Sequence, residues 1–258
     1  MADESDEIVV IGERNESGEL IAIHSMTFAE YQGSRFYTPR EVDENGPAPS
    51  ISAPIVVRVK VENAANQARA EEAAAKLVQG IAHVMQELAG ADPNAAIDVL
   101  GRSYAIGDIL ADLANTDFTI IDRNDFQNNG VGAASRGVLG QPNSDIINMD
   151  ALLDGYTNDV WPIEYGLTVL ILHEMGHIST IGTAFFRASF DFWRSENPSA
   201  PAGEFYTPPT DYSQNLEYFA DAFKDQVVAQ AGLDAGWDVG GGGVPVEPSQ
   251  IHQQHIGG

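Results

Sequence analysis

Apolar runs and the polar breaks between them divide the chain into a short list of elements. "EIVVIG" and "ELIAIH" read as two short strands joined by the turn-rich "ERNESG". "VDENGPAPSISAP" (residues 42–54) then reads as a linker. Two strands alone are marginal, so we expect this pair to pack on the main domain beyond the linker. "PIVVRVKV" (54–61) is a β-branched strand with partial alternation. The alanine-rich segment after it predicts a long helix over 63–89, ending at Gly90. A second helix is expected over 95–115, a strand at 117–123 and a strand within "DIINMDALL" (145–153). A helix is expected from about 162 to 179, with Pro162 suited to its first turn. The segment "QNLEYFADAFKDQVVAQAG" places Leu216, Phe219, Ala220, Phe223 and Val227 on one helical stripe, with Asp211 or Ser213 available as its cap.

This order predicts an α+β fold in three parts. Residues 1–50 form an appendage of short strands and linker. Residues 51–240 form the main domain, and residues 241–258 a flexible Gly-rich tail. The 258 residues suffice for a sizeable core without staples. The chain has no cysteine, which excludes disulfides, thiolate metal sites and cysteine nucleophiles. The formal net charge of −25 repels phosphate backbones, so nucleic acid is set aside as a partner. No apolar run approaches the ~20 residues of a membrane span. The N-terminus is acidic where a secretory signal is basic. The use of only three lysines, with Gly- and Asn-rich loops, leans toward an exported protein.

The chemistry gathers in "LTVLILHEMGH" (167–177). Its apolar run marks a buried helix, and two histidines and a glutamate end it. His173 and His177 are four apart, so they project from one helical face, about 6 Å apart. That spacing suits two imidazoles on one tetrahedral zinc ion. Glu174 points beside such an ion, where a carboxylate can take a proton from the attacking water; this is the H-E-x-x-H arrangement. Such groups beside a core are costly if nothing pairs with them. Gly176, inside the motif, costs helix stability and allows another backbone to come close.

A catalytic zinc site needs a third protein ligand. The metzincin extension is absent, because Thr180 stands where it needs Gly and Thr183 where it needs His. An aspzincin-like pattern is available in Gly182–Thr183 followed by Asp191. The better option is "NLEYFADAF", where Glu217 and Asp221 lie four apart on one helical face. Glu217 is placed to bind the metal, and Asp221 to accept the N–H of His173 and set its tautomer.

With "HEMGH" (173–177) and "EYFAD" (217–221), the chain resembles the gluzincins, the thermolysin-like division of the zincin metallopeptidases. The resemblance implies His173, His177 and Glu217 as zinc ligands, Glu174 as general base and Asp221 as the partner of His173. It covers the two helices and, loosely, the strand order before them. The separation of 40 residues between His177 and Glu217 (217 − 177) is longer than in thermolysin. It further implies a zincin-like domain: a twisted mixed sheet, a backing helix and an active-site helix, followed by a mainly helical C-terminal subdomain. In such domains the edge strand pairs with extended substrate, and residues 145–149 are the expected edge.

The implied activity is zinc-dependent hydrolysis of peptide bonds in a peptide or protein substrate. Two neutral imidazoles and one carboxylate leave zinc a net charge of about +1, which acidifies water toward a pKa of ~7. Tyr212 and Tyr206 are the candidates for steadying the developing oxyanion; Tyr218, next to Glu217, points elsewhere. "DRNDFQNNG" (122–130) hints at calcium, but Phe126 stands where an EF-hand loop needs oxygen. Two other readings are a binding or adhesion protein that keeps zinc for structure, and a latent enzyme blocked by residues 1–50.

Overall fold

The computed structural model describes residues 7–37, 52–99, 102–122, 135–137, 144–156, 163–178, 184, 195, 198–199, 216–231 and 233. The fold is α+β, a mixed sheet with helices packed on it. Strands β1 (Ile8–Arg14) and β2 (Leu20–Thr27) form an antiparallel hairpin. They join the main sheet directly, because β1 also pairs antiparallel with β3 (Ile55–Lys60). The hairpin thus gains the third strand that two strands alone require.

Helix α1 (Phe28–Gln32) begins with a capping box in which Thr27 and Glu30 satisfy each other's backbone N–H groups. It leads the chain over one face of the sheet. Phe28 lies under the Arg58 guanidinium, and Phe36 packs against His24. Val9 and Ile11 face that side and are buried there, opposite Arg58 and His24 in the strand register.

The other face is covered by α2 (Gln67–Gly90), entered through a 3-10 turn at Ala64–Asn66. Ala70, Ala73, Ala74, Leu77, Ile81, Val84, Met85 and Leu88 form its buried stripe at helical spacing. They meet Val57, Val59, Phe118 and Ile120 of the sheet. This helix is the crossover that lets β3 and β6 (Asp117–Ile121) lie parallel, a pairing that a tight turn cannot make. Asp122, just past β6, secures the start of the crossover. Its carboxylate accepts from the backbone N–H of Glu62 and Asn63 and from the Asn66 amide.

The segment between α2 and β6 differs from the helix expected over 95–115. β4 (Ala96–Val99) and β5 (Arg102–Ala105) form a two-stranded hairpin, and only α3 (Ile106–Ala114) is helical. Ile97 and Val99 are buried while Ala96 and Asp98 are exposed, a period of two that a helix cannot satisfy. The hairpin is held from outside: the Asp98 N–H and C=O both bond to the Gln230 side chain, far along the chain.

β8 (Ser144–Asn148) pairs parallel with β6, and β7 (Ser135–Gly137) pairs antiparallel with β8. The sheet order is β2-β1-β3-β6-β8-β7. Residues 145–149, expected at the edge, are therefore one strand in from it. Among the described strands the edge belongs to β7, whose three residues in a Gly- and Asn-rich stretch carry too little periodicity to mark a strand.

A π-helical turn at Ala151–Tyr156 follows β8. Two helices, α4 (Ile163–Ile178) and α5 (Leu216–Ala231), complete the described fold. Leu167, Thr168, Leu170, Ile171, Leu172, Glu174 and Met175 of α4 are buried, so this helix is covered nearly all round. One side meets α2 at Gly80, where a Cβ would lie 2.7 Å from the Leu167 Cβ. Another side meets α5. There Ala220, Phe223 and Val227 are buried, as the stripe predicts. Burial of Phe223 alone contributes about 1.5–3 kcal/mol relative to exposure. Among the described residues no helix is long and apolar enough to cross a membrane.

Candidate metal centre

The last turns of α4 bring His173 and His177 together as the four-residue spacing requires. Their rings meet edge to face, with centroids 4.9 Å apart. The two Nε2 atoms are 3.2 Å apart. That distance admits an N–H···N hydrogen bond. It also matches two lone pairs aimed at one cation, since nitrogens each about 2.0–2.1 Å from a tetrahedral zinc are about 3.3 Å apart.

The Asp221 contact bears on this choice. His173 Nδ1 lies 3.0 Å from Asp221 Oδ1, across the α4–α5 interface. Burial pushes the Asp221 carboxyl up, but the His173 hydrogen bond and the Lys224 charge outweigh it and bring it down to about 2. Asp221 is therefore ionised at neutral pH and accepts the proton on Nδ1. A neutral His173 ring then carries its lone pair on Nε2, the nitrogen that faces His177. The donor set is chemically suited to a borderline metal such as zinc.

Glu174 is 4% exposed. Among the described residues nothing hydrogen-bonds to its carboxylate.

Glu217 lies on α5 one turn before Asp221, on the same helical face. Its side chain is outside the described residues, as are Asp191, Tyr206 and Tyr212. Among the described residues no three His, Asp or Glu side chains gather as a metal-holding group. The two histidines and Asp221 are thus brought together, while the Glu217 side chain expected beside them lies outside the described residues.

Lys224 is a member of this cluster that spacing arguments missed. Its ammonium lies 3.0 Å from Asp221 Oδ1 and 3.5 Å from Asp225 Oδ1. The available signal was a lysine three residues after Asp221 in a chain with very few lysines. Burial and the neighbouring Asp221 push the Asp225 carboxyl up, while Lys224 opposes them.

Of the other histidines, His24 bonds to Glu13 at 2.9 Å, far along the sheet from α4. His252 and His255 lie outside the described residues. At the calcium-like stretch, Asp122 has both carboxylate oxygens engaged by the chain around 62–66, and residues 123–130 lie outside the described residues.

Comparison with protein-family models, with curated proteins and with solved structures finds no match to this chain.

Proposed function

We propose that this chain is a zinc-dependent peptidase with a zincin-like catalytic domain. The observation that carries the reading is the pair of Nε2 atoms 3.2 Å apart on α4, with the opposite nitrogen of His173 bonded to Asp221 on α5. In this reading His173, His177 and Glu217 hold the ion and Asp221 orients His173. When bound, zinc supplies a Lewis acid for the scissile carbonyl and lowers the pKa of water toward neutrality.

Glu174 takes the proton of the attacking water and passes it to the leaving amine. Glu174 follows His173 directly on α4 and is largely buried. Tyr212 or Tyr206 donates to the developing oxyanion. The outer edge of β7 is open among the described strands, and β7 contacts α4. An extended peptide that added a strand there would run past the motif helix.

The test is metal analysis of the purified protein together with a broad peptide-library cleavage assay, run with and without chelator. Stoichiometric zinc and chelator-sensitive cleavage are expected. Glu174→Gln should keep the zinc and lower cleavage by about 10²–10⁴. Absence of bound zinc, or cleavage that survives chelation, overturns the reading. Zinc retained with no cleavage of any substrate would favour the structural-zinc binding protein instead. Loss of zinc in Asp191→Asn but not in Glu217→Gln would move the third ligand to Asp191.

A further inference from the structure

Lys224 is an unusual lysine. The chain has three, and the other two, Lys60 and Lys76, have side chains 51% and 27% exposed. The Lys224 side chain is 10% exposed. Burying an ammonium is costly unless carboxylates pair with it. Here the partners are Asp221 and Asp225, on the same helix.

The oxygen that Lys224 reaches is the one that faces His173. Nζ and His173 Nδ1 both lie 3.0 Å from Asp221 Oδ1. A carboxylate turns readily about its last torsion, because that rotation has broad wells. Two donors converging on one oxygen, from two different helices, remove that freedom. Asp225 Oδ1, 3.5 Å from the ammonium, gives it a second carboxylate partner.

We infer that Lys224 is a positioning residue of the metal centre: it holds Asp221 Oδ1 against His173, so that Nε2 of that ring faces His177. Its effect on zinc rests on the zinc-peptidase reading; its effect on the His173 ring does not. The alternative role is a salt bridge that only steadies α5, and this would leave the His173 ring unmoved in a folded variant.

The experiment uses the full chain, ¹⁵N-labelled, at one fixed pH. In zinc-free protein the His173 Nδ1–H signal and ring ¹⁵N shifts are recorded. Zinc affinity is measured by competition with a chromophoric chelator. Lys224→Met should abolish or broaden the Nδ1–H signal and weaken zinc binding about tenfold. Lys224→Arg, which keeps the charge and donors, should restore the signal and bring the affinity to within about threefold of the parent. If Lys224→Met does not fold, Lys224→Gln carries the same two readings, with the same expected direction and a smaller size. A folded Lys224→Met or Lys224→Gln with unchanged His173 signals overturns the inference. So does a Lys224→Arg variant as impaired as Lys224→Met. Should the parent bind no zinc, the metal reading falls, and the His173 signals alone decide the role of Lys224.

Discussion

Gly176 and Ala220 leave no room between them for a side chain. A Cβ on Gly176 would lie 2.6 Å from the Ala220 Cα and 3.0 Å from its Cβ. The glycine sits between the two motif histidines, and Ala220 is the residue before Asp221. A close approach of α4 and α5 is thus adjacent to the His173–Asp221 contact, and the distance between the helices there bears on the length of that bond.

Gly176→Ala tests this. The obstacle is backbone, so a rotamer change in Ala220 cannot relieve it. We expect a loss of about 1–3 kcal/mol in denaturant unfolding, despite alanine's better helix propensity. Zinc binding should weaken in parallel, because α5 carries both Asp221 and Glu217. A variant as stable as the parent would mean that the helices are not this close.

On the zinc-peptidase reading, Asp221→Asn, which removes the charge behind His173, should lower zinc affinity by about tenfold or more. It should also change acid stability. The folded carboxyl is depressed from 3.8 to about 2, with burial raising it and the His173 bond and Lys224 lowering it further. Its stabilisation is complete above the unfolded pKa and fades as pH falls through the window from about 4 to about 2. The size is on the order of 2 kcal/mol. Unfolding curves of zinc-free parent and variant should converge at the acid end of that window; a constant gap down to its lower limit contradicts the assignment.

Asp122→Ala should destabilise the entry to α2. Burial raises the Asp122 carboxyl, but the N–H groups of Glu62 and Asn63 and the Asn66 amide lower it further, so the net shift is downward. Its stabilisation is therefore present above the ordinary carboxylate range and lost below it. Solvent screens the site, so about 1 kcal/mol is expected near neutral pH. Hydrogen exchange should rise first at the amides of residues 62–66; uniform change along the chain would argue against a local cap.

On the zinc-peptidase reading, Glu174→Gln should lower cleavage by about 10²–10⁴ without harming the fold. The parent buries a carboxylate that nothing among the described residues hydrogen-bonds. Glutamine is an uncharged isostere of the same size, so the packing around the position is kept. In zinc-free protein the melting temperature should stay within about 2 °C of the parent's. A marked fall would show that the carboxylate stabilises the fold.

Much of the fold was legible along the chain where one element carries its own periodicity. The buried stripe of α2, the apolar run of α4 and the stripe Ala220–Phe223–Val227 of α5 all emerge from helical spacing. Legibility failed where short segments took their conformation from distant partners. β4 and β5 lie in a stretch whose composition also suits a helix, and Gln230 on α5 is what engages Asp98. β7 is three residues long and exists as a strand through its pairing with β8.

The same division runs through the candidate centre. Helical repeat alone puts His173 beside His177, and Glu217 on the same face as Asp221, because each relation spans one turn of one helix. Tertiary structure decided that Asp221 meets Nδ1 of a histidine 48 residues earlier, that Gly176 and Ala220 set the approach, and that Lys224 is buried against the same carboxylate. One-turn relations depend on backbone geometry that neighbouring residues share. Contacts between helices depend on which side chains the whole core can pack, and no local stretch of the chain contains that information.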